Sequence, residues 1–290
     1  MIKGSKHLAT IRPIMKHLAG TATGAVNEIL MDWHPFQIPR GGCRIKSLHA
    51  KIPGTNGDAT GQENQLDLTL LVGTSIDGVA PPSLGNSNAV ASAAAMTAAR
   101  PYIVGQKYLD VNQMDKVTGS LFNDDLFHTY RMIDINAKDA DFDEISIMMA
   151  GEPEAYRTLA TDKYKPIVQD PITGFQTMFM AVISMEAGHD FGTGCLLDMA
   201  AGSTPGSSAN DPTVVTTTPV SIGLSGTDAR LVFAPGDLIG DVSATAKVIG
   251  KVTEVTSATA VVVDFVREVV AHNTEIVNLT PITFNLGFEY

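Results

Sequence analysis

The sequence predicts an all-β protein with two sandwich-like or barrel-like domains, an extended N-terminal arm and at most one or two short helices. Three observations carry this. From about Val214 to Tyr290 the chain reads as strand after strand, rich in β-branched residues, poor in helix formers and cut by small turn residues. Ile282, Phe284, Leu286 and Phe288 alternate without a break, so one side of the final strand is buried. Pro39-Arg40-Gly41-Gly42 and Pro235-Gly236 supply turns, because Pro presets φ and Gly permits positive φ.

Residues 1–27 read as an extended arm, with Pro13, Gly20 and Gly24 and no clean period. Strand signals follow at Ile29–Trp33, at Phe36–Ile38 and at Cys43–Ile52. In the last of these the alternation slips near Leu48, which predicts a bulge. Residues 53–64 form a polar loop, and Gln65–Val72 alternates with Leu66, Leu68 and Leu70 on one side. After a second polar loop at 75–88, Ala89–Ala99 is the best helix candidate, with Asn88 as its cap. Pro101 should stop it by Arg100. Strands are expected in 121–136, over Asp141–Met149 and over Gly174–Met185, the last buried on both faces. The Gly/Ser/Pro/Asn-rich run near 203–212 reads as a linker. It divides a jelly-roll-like sandwich at 28–202 from a small sandwich or barrel at 213–290. The final strand either completes its own domain or returns to the first.

Net charge is −11, which argues against general nucleic-acid binding. The arm carries Lys3, Lys6, Arg12 and Lys16 and no acidic residue before Glu28. It is therefore +4 on a body of −15 (−11 minus 4), a distribution suited to docking on an acidic partner surface. Only 18% of residues are charged, which fits a surface packed against neighbours. Two distant cysteines, Cys43 and Cys195, are read as buried free thiols and not as a disulfide framework or zinc site. No apolar run approaches the roughly 18–20 residues of a membrane span, and no secretory signal is expected.

Candidate chemistry is thin. Asp139, Asp141 and Asp143 alternate like calcium ligands, but Glu144 stands where an EF-hand loop needs Gly. Asp124, Asp125 and His128 read as a turn with surface charges. His189 and Asp190 lie near Cys195 in sequence, yet a nucleophile pair needs spatial adjacency. A Gly-x-Ser-x-Gly elbow, a P-loop and a dinucleotide fingerprint are all missing from the sequence. Trp33, Phe36 and Tyr290 could form a sugar platform, but Trp33 sits in an apolar strand and reads as core. Met148, Met149, Met178, Met180 and Met185 read as gap fillers. No catalytic residue, metal or cofactor is expected.

The stretch from Glu28 to Ile52, with its Ile38-Pro39 turn and the loop Gly54-Thr55-Asn56-Gly57, resembles the opening strands of uncharacterised virion structural proteins from marine tailed bacteriophages. Pro235–Gly240 with Ile249–Thr256 is similar to small β modules of phage head and tail proteins. Together these cover under a third of the chain, and the motifs carry no functional residues. The resemblance implies an accessory coat component. The expected function is a capsid decoration or cement protein on the virion surface, made in the host cytoplasm. It would be a dimer or trimer binding the major capsid protein through Lys3, Lys6, Arg12 and Lys16, with no membrane or nucleic-acid partner. The alternatives are a tail or fibre module binding host glycan, and a hydrolase using His189, Asp190 or Cys195.

Overall fold

The computed structural model describes residues 6–15, 24–39, 43–53, 67–76, 78–110, 115–116, 127–133, 148–149, 156–158, 163–165, 175–188, 195–197, 218–241, 248–264 and 274–289. In chain order the strands are β1 Lys6–Ile11, β2 Ile29–Pro39, β3 Cys43–Pro53, β4 Leu68–Gly73, β5 Ile103–Leu109, β6 Asp115–Lys116, β7 Phe127–Ile133, β8 Met148–Met149, β9 Tyr156–Thr158, β10 Lys163–Lys165, β11 Phe175–Ser184, β12 Cys195–Leu197, β13 Val220–Ser225, β14 Leu238–Asp241, β15 Val248–Ser257, β16 Ala260–Val263, β17 Glu275–Asn278 and β18 Thr283–Glu289. Two short helices accompany them among the described residues, α1 Ala93–Ala99 and α2 Ala229–Val232. The fold is all-β, as the strand-rich sequence predicts.

Two antiparallel sheets face each other. The first has the order β1-β18-β3-β7-β6 with β8 beside β3, and the second β2-β11-β4-β5. Alternation places Ile11, Ile45, Leu48, Ala50, Phe284, Leu286 and Phe288 of the first sheet against Phe36, Ile38, Leu68, Leu70, Met178 and Met180 of the second. Phe36 stacks on Phe288 across the interface, with ring centroids 6.0 Å apart. The expected slip in β3 is present: Gly287 pairs with Ser47 but Phe288 pairs with Ile45, leaving Lys46 as the extra residue. That shift brings Ile45 and Leu48 to the same face despite their odd spacing.

The second sheet is covered on its far side too. Ile29, Leu71, Leu84, Ala99, Ala181 and Ile183 form a separate core, with Trp33 and Met96 packed against it. This explains why β11 is apolar without a break from Met178 to Ile183. Met178, Met180 and Val182 serve one core, Ala181 and Ile183 the other. Helix α1 starts four residues later than the composition suggests. Its cap is Ser92, whose Oγ accepts from the Ala95 N–H at 3.1 Å. Asn88 instead has φ of +59°, and its N–H donates to the Ile29 carbonyl. Backbone bonds between residues 27–29 and 88–91 tie up that stretch, so the helix does not begin there. Its α-helical span ends at Ala99, but Arg100 keeps helical φ and ψ of −48° and −43° and a 3-10 turn continues over Arg100–Tyr102, so Pro101 does not expel Arg100 from helical geometry as expected.

β12-β13-β16-β15-β14-β17 close into a six-stranded barrel. Its interior is filled by Leu197, Ile222, Leu224, Ile239, Ile249, Val252, Val261, Val263 and Ile276, with Ala229 and Phe233 of the α2 region as a plug. Closure removes exposed strand edges.

The division between the two units differs from the linear one. The barrel begins upstream of the expected boundary, at β12, and β18 leaves it to pair with β1 and β3. The barrel is thus inserted into the sandwich, before the sandwich's last strand. The proposed linker at 203–212 lies outside the described residues. The crossing at Leu279–Ile282 is buried, and Leu279 accepts a bond from Met15 N–H at 2.7 Å while donating its own N–H to Leu238. The N-terminal residues are likewise part of the sandwich. β1 pairs with β18 over six residues, from Lys6 opposite Glu289 to Ile11 opposite Phe284.

Candidate partner-binding surface along the N-terminal strand

Residues 7–15 have a period of two that their mixed composition hides. His7, Ala9, Ile11, Pro13 and Met15 point inward, with Ile11 and Met15 only 2% and 1% exposed. Leu8, Thr10, Arg12 and Ile14 point outward, with Leu8 at 63% and Ile14 at 52%. His7 stacks on Phe288 at 5.9 Å, and the Thr10 hydroxyl donates to Asn285 at 2.7 Å. β1 lies at the end of the first sheet, paired only with β18 among the described residues. A firmly anchored edge strand therefore carries two large apolar side chains into solvent.

Arg12 belongs to this outward row but turns toward the barrel. Its Nη1 lies 3.5 Å from Asp237 Oδ1. Asp237 ends the turn Ala234-Pro235-Gly236-Asp237, closed by Asp237 N–H to the Ala234 carbonyl at 3.1 Å. Gly236 has φ of +95°, the value a Pro-Gly turn requires at its third position. A Cβ there would also run into the Arg12 guanidinium. The Asp237 carboxylate accepts from Ala234 N–H and from Asn278 Nδ2, both at 2.7 Å. Asn278 also donates to the Val232 carbonyl and accepts from Thr280 N–H, while Thr280 Oγ1 accepts from Leu238 N–H. One polar network thus joins the N-terminal strand, the Pro-Gly turn and the crossing into β18.

Burial raises the pKa of Asp237 above its ordinary value. The Ala234 N–H, Arg12, Lys51 and Asn278 oppose that shift. Asp228 caps α2 through the Arg230 N–H, and the Arg230 side chain forks onto the same carboxylate at 2.6–3.2 Å. That fork holds the Asp228 carboxyl below its usual value.

Of the four cations expected to meet a partner, the structure describes the Arg12 side chain and the Lys6 backbone. Arg12 is engaged with Asp237, while the Lys6 backbone lies in β1. Lys3 and Lys16 lie outside the described residues. Asp237 and Asn278 were not singled out from sequence. Only the Pro-Gly turn pointed to them, and Arg12 is more than two hundred residues away along the chain.

The structure describes only some of the other candidates. Cys195 is fully buried in the barrel, donates to the Thr227 carbonyl at 3.3 Å, and has its thiol pushed up to about 12, chiefly by burial. His189 and Asp190 lie outside the described residues, as do Asp124, Asp125 and the 139–144 acidic run. Trp33 donates its indole N–H to the Pro82 carbonyl at 3.0 Å, and Phe36 is 5% exposed, so neither offers a face for a sugar. At the β5 edge Tyr108 donates to Asp67, and Glu186 has its pKa raised by burial and by Asp67 and Asp110. Among the described residues no group of three or more His, Cys, Asp or Glu side chains could hold a metal ion. No protein-family model matches the chain, and no curated protein matches it either.

Proposed function

We propose that this protein is a non-enzymatic virion structural component, a capsid decoration or cement protein that seats on the major capsid protein of a tailed bacteriophage. The observation that carries this reading is the outward row of the N-terminal strand. Leu8 and Ile14, 63% and 52% exposed, flank Thr10 and Arg12 along β1 and the residues just after it, whose alternate positions Ile11 and Met15 are core. Large apolar side chains held rigidly in solvent mark a surface built for association. The low charged fraction, 18%, reduces the desolvation cost of covering such a surface. The likeness of residues 28–52 to virion proteins supports the same reading. Interfaces of about 1,000 Å² each would add by avidity over a symmetric shell, most simply if the protein docks as a dimer or trimer.

The test is occupancy on purified heads. Deleting residues 1–20 would confound it, because Ile11 and Met15 would leave the core. Leu8→Asp with Ile14→Asp alters only outward positions. This double variant should keep its far-UV circular dichroism and lose most of its head-bound fraction in a sedimentation assay. Full occupancy by the folded double variant would remove this strand from the interface. Failure of the wild-type protein to co-purify with particles would remove the virion reading altogether.

A further inference from the structure

Between the outer face of the first sheet and the barrel lies a cavity of about 440 Å³. Its wall includes Thr10, Arg12, His49 and Lys51 from the sandwich and Arg230 and Asp237 from the barrel. β1 and β3 supply their residues because both strands flank β18, with Thr10 opposite Asn285, Asn285 opposite His49 and Thr283 opposite Lys51. All these positions point away from the Phe284–Phe288 core face.

The lining is cationic on a protein whose net charge is −11. Arg12, Lys51 and Arg230 face two carboxylates, Asp237 in the wall and Asp228 beside Arg230. Neither carboxylate saturates its neighbours. Asp237 directs Oδ2 at the Ala234 N–H and Asn278, leaving Oδ1 for a long 3.5 Å contact with a single Arg12 nitrogen. A guanidinium has five N–H donors, so that contact leaves most of Arg12's capacity unspent. Arg230 commits its Nε and Nη2 to Asp228. Its side chain is still 64% exposed, and it lies across the cavity from Lys51 and Arg12. Convergent donors around a cavity of this size are the features of a ligand site.

We infer that this cavity binds an oxyanion-bearing ligand, a phosphate or carboxylate group, clamped between Arg12, Lys51 and Arg230. Arginine forks match both groups in a two-point geometry, and Lys51 adds a point charge. The inference stands apart from the virion reading, since the lining alone carries it. The oxyanion can arrive on a small soluble molecule or on an acidic side chain of a polypeptide.

Calorimetric titration of the full-length protein with inorganic pyrophosphate, and separately with a hexaglutamate peptide, distinguishes these sources. Arg12 is left unchanged because it also ties the barrel to β1. Lys51→Ala with Arg230→Ala should weaken binding by about tenfold or more, with unchanged circular dichroism, and Lys51→Arg should largely preserve it. Saturable binding of pyrophosphate alone assigns a small ligand, and comparable binding of the peptide assigns an acidic polypeptide segment. No saturable binding of either probe overturns the inference. So does binding that the double substitution leaves intact.

Discussion

Replacing Asp237 with alanine removes the one acceptor shared by the Pro-Gly turn, the crossing strand and the N-terminal strand. The residue is 7% exposed, so water cannot fully substitute for what is lost. Two hydrogen bonds at 2.7 Å disappear, from Ala234 N–H and Asn278 Nδ2, together with the 3.5 Å contact to Arg12. Hydrogen bonds to a charged group contribute roughly 1.5–3 kcal/mol each, so the gross loss is about 3–6 kcal/mol. Against this stands the cost of burying the carboxylate, which is the main cause of its raised pKa. The net expectation is a loss of about 2–4 kcal/mol. Urea unfolding followed by both far-UV circular dichroism and fluorescence measures it. Trp33 is the only tryptophan and sits in the sandwich, whereas circular dichroism sees both units. Because Leu279–Ile282 leads directly into β18, loosening the barrel junction should lower the midpoint in both signals. Arg12→Ala serves as the contrast. That side chain is 37% exposed and its ion contact is long, so its loss should be below about 1 kcal/mol. A loss under about 1 kcal/mol for Asp237→Ala, or equal losses for the two variants, would refute the assignment of Asp237 as the pin of the junction.

Asp237→Asn should reveal a pH dependence of definite sign. The folded pKa lies above the ordinary 3.8, so the native state binds the extra proton. The wild-type stability, measured relative to the Asn variant, should therefore fall as pH rises from that ordinary value through the raised one, then level off. A wild-type advantage that grows over this window would contradict the burial argument. Phe284→Ala empties a fully buried site between the two sheets and should cost about 3–5 kcal/mol in the same unfolding assay. Cys195, with its thiol pushed up to about 12, should resist iodoacetamide at pH 8 in the native protein and react in urea. Peptide mapping by mass spectrometry isolates that position from Cys43. Gly73→Ala places a Cβ about 3.0 Å from the Trp33 ring and should displace it, read as a shifted fluorescence maximum.

Much of the fold was legible because strands declare themselves locally. The alternation of Ile282 to Phe288, the two-faced apolar run of β11 and the slip in β3 each follow from side-chain period within a few residues. The helix cap was misplaced because a tertiary constraint overruled a local preference: backbone bonds to residues 27–29 hold Asn88, Ala89 and Ala91 outside the helix, with Asn88 at a φ of +59°. The candidate site was far less visible. The row from His7 to Met15 hides its period of two, since His, Ala and Pro serve as inward residues beside Leu and Ile as outward ones.

The amino-acid sequence by itself determined that this chain forms strands, where most of them lie, and that a Pro-Gly turn precedes Asp237. Only the tertiary structure decided which strands pair. It sent β18 out of the barrel and back to β1, and it brought Arg12 to Asp237. The physical reason is that alternation specifies which face of a strand is buried, while the choice of neighbour depends on backbone bonds and packing between residues far apart in the chain.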